Sequence, residues 1–240
     1  MLLSPSHSSK NTLPLQAIVF DMDGVIVDSH PAHRSAWREF LNTLGRDVTE
    51  SELDFVLDGR KRKDILVHFL GQLTEEQLGE YGKLKDELFW RAASAVVPIP
   101  GVFEFIECIR RAGIPMAVAT SAGASRTQSI LARLGLLAHF TAIVTGDEVP
   151  EGKPNPHIYR LACVRINCPP EAAVAVEDAP SGVRAAKGAG LKCVGIAGNQ
   201  PEEKLTAAGA DSVVRDFLNL SLPEFHSLVK MQPLIPPRTT

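Results

Sequence analysis

Five short apolar runs constrain this chain more than any other feature: LQAIVF (15–20), PMAVAT (115–120), TAIVT (141–145), AAVAV (172–176) and LKCVGI (191–196). Each is nearly continuous rather than alternating, which fits strands covered on both faces, as in a parallel sheet. Between them lie helical patterns at 102–111, 125–134, 157–165 and 182–187. Alternating strands and helices predict a doubly wound, Rossmann-like α/β core. Two helix signals support the placement: Gly135 stands where a helix can end with positive φ, and Pro180 where a first turn tolerates the missing N–H.

The alternation stops between Ser29 and Ala95. This stretch has no strand-like run but two apolar stripes at helical spacing: Ala32, Ala36, Trp37, Phe40, Leu41 and Leu44, then Leu78, Tyr81, Leu84, Leu88 and Phe89. We expect an α-helical cap over 29–95, inserted into a core made of 15–28 and 96–230. Its entry at Asp28-Ser29 and its Pro-rich exit at 97–101 suit a hinge. The ends, 1–14 and 231–240, are rich in Ser or Pro without apolar periodicity and are expected to be poorly ordered tails.

The 240 residues are 45% hydrophobic and 22% charged, enough for a sizeable core. A net charge of −3 gives no broad reason to bind nucleic acid or an anionic membrane. The start carries no apolar run of signal-peptide or membrane-span length, so a cytoplasmic protein with small soluble ligands is expected. Cys108, Cys163, Cys168 and Cys193 fall in apolar segments without zinc-ligand spacing and read as reduced core residues. An apolar helix face serves a core or an interface equally, which leaves monomer and homodimer open.

The chemistry centres on DMDGVIVDS (21–29), directly after the first apolar run. Alone, a DxDG stretch is often a solvated turn. Here Asp21 and Asp23 would stand at the carboxyl end of a parallel strand, where open α/β sheets bind ligands. Of two such carboxylates, one can attack phosphorus while the other protonates the leaving oxygen and then activates water. The pair repels itself unless a divalent cation is present, and oxygen ligands at a phosphate site suit Mg²⁺.

Three further features follow in order: the run 116–120 ending in Thr120 before Ser121, Lys153 in Gly152-Lys153-Pro154, and Glu177-Asp178 after the fourth run. With these motifs the chain resembles the haloacid dehalogenase-like superfamily, in the branch of β-phosphoglucomutase and sugar-phosphate phosphatases with a helical cap, from about residue 17 to 214. The resemblance implies Asp21 as nucleophile forming an aspartyl-phosphate and Asp23 as general acid and base. It implies Thr120 as a hydrogen-bond donor to the phosphoryl group, with Ser121 beside it, and Lys153 as the neutralising cation. Mg²⁺ would be held by Asp21, the Asp23 backbone carbonyl, Asp178 and Glu177. Because Asp23 is present, attack on carbon–halogen bonds is not expected.

In the cap, the resemblance matches His33, Trp37, Lys85 and Arg62 to substrate-binding positions. Within Arg60-Lys61-Arg62-Lys63, which also reads as a solvated helix start, Arg62 is favoured for a fixed anion contact. The mutase branch carries Ser-Lys-Asn after its second motif, where this chain has Ala122-Gly123-Ala124. Losing those polar groups favours hydrolysis of a small phosphorylated metabolite, a sugar or polyol phosphate, over a phosphosugar mutase. A non-catalytic metabolite sensor is the remote alternative.

Overall fold

The computed structural model of the chain describes residues 14–230, Asn199 excepted. Both expected tails lie outside the described residues, apart from Pro14. The strands are β1 (Ala17–Phe20), β2 (Val27–Asp28), β3 (Val97–Pro98), β4 (Met116–Ala119), β5 (Ala142–Val144), β6 (Ala173–Glu177), β7 (Lys192–Ile196) and β8 (Ser212–Val214). The helices are α1 (His30–Thr43), α2 (Glu50–Val56), α3 (Arg62–Leu70), α4 (Glu75–Arg91), α5 (Val102–Arg111), α6 (Ala124–Arg133), α7 (His157–Arg165), α8 (Pro180–Ala189), α9 (Glu202–Ala208) and α10 (Leu222–Val229).

Six strands form a parallel sheet in the order β5-β4-β1-β6-β7-β8, with β1 inside it. The period of two in a strand explains the continuous apolar runs. Ile18 and Phe20 join Met116, Val118, Val174, Val176, Val194 and Ile196 on one face. Ala17 and Val19 join Ala117, Ala119, Ala173, Ala175 and Cys193 on the other. The second face is mostly alanine, so α7 and α8 can press Ala162, Ala185 and Ala186 close against it.

Each of the five apolar runs holds a strand of this sheet, and each helical pattern holds a helix within two residues of its expected ends. The sixth strand, β8, was not expected, because its three half-buried residues leave too short a run to read. Helices α9 and α10 were likewise not anticipated. Cys163, Cys168 and Cys193 are buried free thiols, whereas Cys108 is exposed, which corrects its reading as a core residue.

Helices α1 to α4 fill the interval between β2 and β3, with no strand among them. Entry and exit lie side by side: β2 and β3 pair antiparallel, and Ile99 N–H donates to Ile26 O at 3.0 Å. Helices α1 and α4 pack on one another with the Phe40 and Tyr81 ring centroids 5.6 Å apart, and Trp37 meets Phe40 within α1 at the same distance. Leu44, expected in the α1 stripe, is exposed instead, because it is the helix C-cap and lies beyond the packed face. No helix among the described residues is long and apolar enough to cross a membrane.

The insertion sits against the carboxyl ends of the strands. Gly59 O accepts from Ser121 Oγ at 2.6 Å, Val149 O accepts from Lys61 Nζ at 2.8 Å, and Asp58 O accepts from Ser181 Oγ. Every one of these bonds crosses from the loop between α2 and α3 to the sheet domain, two of them to loops and that of Ser181 to the first turn of α8.

Candidate active site

Sheet order dictates which side chains meet. β1 pairs with β4 on one side and β6 on the other, in register at Phe20, Val118 and Val176. The residues just past those positions therefore converge: Asp21 after β1, Thr120 after β4, Glu177 and Asp178 at the end of β6. Asp21 N–H donates to Val176 O at 2.9 Å and Thr120 N–H to Val144 O at 3.0 Å, extending the ladder into the site. This is the crevice at the strand ends where such sheets bind ligands.

Lys153 reaches into this crevice from the loop after β5. Its Nζ donates to Asp21 Oδ1 and Glu177 Oε1, both at 2.6 Å, and to Ala119 O at 3.0 Å. Glu177 is fully engaged: Oε1 also accepts from Tyr159 Oη at 2.6 Å, and Oε2 from the backbone N–H of Asp178 and Ala179. Burial alone would lower the Lys153 ammonium, but Asp21 and Glu177 overcome it and hold it above its ordinary value. Burial pushes the Asp21 carboxyl up; Lys153 opposes this, while Glu177, Asp178 and Asp23 add to it.

Asp178 stands on the other side of Asp21. Its Oδ2 lies 3.1 Å from His30 Nε2, near enough to pair but without hydrogen-bond geometry, so the oxygen is buried with no donor. One carboxylate oxygen from each of Asp21, Glu177 and Asp178 lies within 4.8 Å of the others. Three buried carboxylates, with Asp178 Oδ2 left without a hydrogen bond, fit a hard divalent cation such as Mg²⁺. Gly24 makes the approach possible: its φ is +78°, and a Cβ there would overlap the Asp178 carboxylate.

Asp23 occupies a different setting. Ser29 Oγ donates to its Oδ1 at 2.6 Å, and the Arg126 guanidinium donates to both oxygens at 2.8 Å. Burial works against ionisation, yet Arg126 and His33 hold the Asp23 carboxyl well below its usual range. His33 links this group to the insertion: Nε2 is 3.0 Å from Arg126, and Nδ1 is 3.1 Å from Lys85 Nζ. Burial, then Lys85 and Arg126, lower His33 to about 3, so it is neutral at pH 7. Burial, then Arg126, lower Lys85 to about 7.

These groups line a cavity of about 540 Å³ between sheet and insertion. Trp37 and Lys85 are both buried there, with Lys85 Nζ 5.5 Å from the Trp37 ring. Ser121 lines it too, but its hydroxyl is committed to Gly59 O. Arg62 is on the rim, held by Asp86 Oδ2 at 2.5 Å and by Gly82 O. Arg60 lies over the Phe55 ring at 4.5 Å and pairs with Asp58.

Thus Asp21, Asp23, Thr120, Lys153, Glu177, Asp178, His33, Trp37, Lys85 and Ser121 are brought together, with Arg62 at the edge. Sequence reasoning missed Ser29, His30, Arg126 and Tyr159. Arg126 had a legible signal, since a cation in the first turn of a helix opposes the macrodipole and needs an anionic partner. Tyr159 had none, being one apolar-facing residue among several in α7.

The haloacid dehalogenase-like hydrolase family model matches residues 15–190. A phosphorylated carbohydrates phosphatase of Thermotoga maritima is 33% identical over 222 residues, 86% of this chain and 98% of that protein. β-Phosphoglucomutase of Bacillus subtilis is 29% identical, covering 88% and 94%. The crystal structure of CbbY from Rhodobacter sphaeroides in complex with phosphate superposes with a TM-score of 0.78 at 32% identity, over 90% of this chain and 100% of that one. On the family match and these relatives, with the strand-end cluster they accompany, the chain belongs to the haloacid dehalogenase-like hydrolases.

Proposed function

We propose that this chain is a Mg²⁺-dependent phosphatase that hydrolyses a small phosphorylated metabolite, a sugar or polyol phosphate, through an aspartyl-phosphate on Asp21. The observation that carries the reading is the buried Lys153–Asp21 contact at 2.6 Å, with a second carboxylate two residues on. It supplies a nucleophile, a cation to offset it and an acid-base group in one turn.

An Asp21 oxygen attacks phosphorus, the bond to the ester oxygen breaks, and that oxygen takes a proton from Asp23, which stays ionised while paired with Arg126 and has to lose that pairing to carry one. Water, giving a proton to Asp23, then attacks the phosphoaspartate; the Asp21–phosphorus bond breaks and inorganic phosphate leaves. Thr120 Oγ1 already accepts from Ala122 N–H at 3.1 Å, so its own proton is available to a phosphoryl oxygen. Lys153 offsets the charge of Asp21 and phosphate, and Glu177 and Tyr159 fix Lys153. Asp21, Asp178 and the Asp23 carbonyl, ordered by Glu177, would hold Mg²⁺, which neutralises charge on the phosphoryl group. The helices of 29–95 act as a cap that excludes water. The named activity of the Thermotoga maritima relative supports a carbohydrate phosphate as the substrate.

A phosphosugar mutase is the second reading, favoured by His33 and Lys85 beside Asp23 and by the Bacillus subtilis relative. Against it, the loop 122–124 offers no charged side chain, and Asp147 already takes the Ala124 N–H at 2.8 Å. The test is phosphate release from a panel of phosphomonoesters by the purified protein with Mg²⁺, beside Asp21→Asn. Release is expected from the wild type and a loss of about 10⁴-fold or more in the variant. No release from any ester would sink the reading. Glucose 6-phosphate forming from β-glucose 1-phosphate faster than free phosphate would move the assignment to the mutase.

A further inference from the structure

Arg126 occupies the third position of α6, where the helix dipole disfavours a cation, and its guanidinium points into the cavity. The side chain is 12% exposed. Its two terminal nitrogens lie 2.8 Å from the two oxygens of Asp23, and its guanidinium carbon lies 5.0 Å from the centre of the Phe89 ring. With His33 at 3.0 Å, the planar fork is fixed from three sides in the geometry that recognises a carboxylate bidentately. The carboxylate it holds belongs to the acid-base residue. Arg126 and Ser29 between them take three of the four acceptor positions on that carboxylate, so Asp23 meets a leaving group freely only when Arg126 turns away.

Lys85 is a second buried cation at this end of the cavity, hydrogen-bonded to His33 and lying over the rings of Trp37 and Phe89. Lys85, Arg126 and Arg62 here face the carboxylates of Asp23 and Asp86, so basic side chains outnumber them by one and the charge suits another. Of the other groups that could bind an anion, Arg62 lies at the exposed rim with Asp86, Lys61 bonds Val149 O and the Ala124 N–H bonds Asp147.

We propose that Arg126 is a specificity-determining residue, which leaves Asp23 for a carboxylate on the leaving portion of the substrate and so releases Asp23 to act. The proposal rests on the phosphatase reading above. Asp23 has to contact the ester oxygen directly, and Arg126 stands one hydrogen bond beyond Asp23. The substrate carboxylate therefore has an oxygen about 5 Å from that ester oxygen, a span of four bonds. The preferred esters are phosphorylated hydroxy acids or sugar acids with the carboxylate close to the ester. Ser29, at 2.6 Å, still holds Asp23 once Arg126 departs.

The test uses two esters that differ only in carboxylate against hydroxymethyl: 3-phosphoglycerate and glycerol 3-phosphate. With Mg²⁺, kcat/KM is measured on both for wild type, Arg126→Ala and Arg126→Lys. The ratio of the two values does not depend on how much of a variant folds. The wild type is expected to favour 3-phosphoglycerate about 10- to 100-fold, the worth of charge-assisted hydrogen bonds. Arg126→Ala brings the ratio near one, and Arg126→Lys, which keeps the charge but loses the fork, falls between. A wild-type preference for the neutral ester, or the same ratio in wild type and Arg126→Ala, overturns the proposal. Calorimetric binding of both esters to Asp21→Asn, with and without Arg126→Ala, separates this inference from the reaction it rests on. Arg126-dependent preference in binding without phosphate release from wild type removes the hydrolysis and keeps the carboxylate site. Phosphate release without that preference does the reverse.

Discussion

At the strand ends, Lys153 is 1% exposed and holds two carboxylates at 2.6 Å; across the cavity, Arg62 is 43% exposed and holds Asp86 at 2.5 Å. The distances are alike, but the settings are not. Around Lys153, every partner is anchored to a strand of the sheet or to a helix packed on it, so the charges cannot relax without moving the fold. Around Arg62, the guanidinium and the Asp86 carboxylate are both partly solvated on helices of the insertion, and water can replace either. On the proposed function, the reaction is built into the sheet, whereas recognition of the rest of the substrate can vary at little cost in stability.

The largest test of this contrast is Lys153→Met. Removing the cation leaves Asp21 and Glu177 buried without it, and breaking a buried pair costs about 3–5 kcal/mol. The thermal midpoint is expected to fall by roughly 6–20 °C, and phosphate release by about 10³-fold or more. A melting curve unchanged from wild type would show that the strand-end cluster is not coupled to the fold.

Next comes Gly182→Ala, which adds one carbon on α8. That Cβ would overlap the Glu177 carboxylate, so Glu177 has to move and Lys153 with it. A displacement on the order of 1 Å costs about 10²-fold in kcat. Because no charge is removed, stability is expected to fall less than in Lys153→Met. The split between kcat and thermal midpoint reads the coupling from the backbone side.

The same contrast explains what was legible in the sequence. Asp21, Thr120 and Asp178 could be placed because each stands at or just past the end of an apolar run, and parallel pairing forces the ends of such runs together; Lys153, eight residues beyond the third run, is placed by the Gly-Lys-Pro motif alone. The short edge strand β8 escaped because three half-buried residues carry no period. Arg126 escaped because its partner, Asp23, is 103 residues away, a distance that spacing cannot close. In the insertion, the apolar stripes of α1 and α4 predicted two helices and their packed faces. They did not predict that Lys85 lies among them buried, because a lysine at helical spacing reads as a solvated position. Thr49 with Glu52, and Thr74 with Gln77, form capping boxes whose spacing in the sequence marks the starts of α2 and α4.

Lys85 is the exception within the insertion, a charge held as tightly as those at the strand ends but without a carboxylate at hydrogen-bond distance. Its burial is a standing cost. The unfolded chain binds the Lys85 proton up to about pH 10.5, and the folded chain only up to about 7. Between these values the unfolded state carries more protons, so the contribution of this group to stability rises with pH across that window and is flat below it. Lys85→Met is expected to stabilise the protein at pH 7 by about 1–4 kcal/mol and to abolish the rise. Thermal melts of both proteins at pH 7 and pH 9.5 measure it. A wild-type curve that does not climb relative to the variant would place the ammonium in contact with water.

Arg62→Ala should produce the smallest change in stability and marks the other end of the scale. Its pair with Asp86 is partly exposed on both sides, and such pairs contribute about 0–1 kcal/mol. The thermal midpoint is therefore expected to move by no more than about 3 °C. If the rim of the cavity binds the substrate, KM rises about 10-fold, the worth of one charge-assisted contact, while kcat changes less. The two outcomes that would redraw the comparison are distinct. A large fall in thermal midpoint would make Arg62 part of the framework, like Lys153. A fall in kcat with KM unchanged would bring it into contact with the reacting group, and the division between a fixed catalytic half and a variable binding half would no longer run between sheet and insertion.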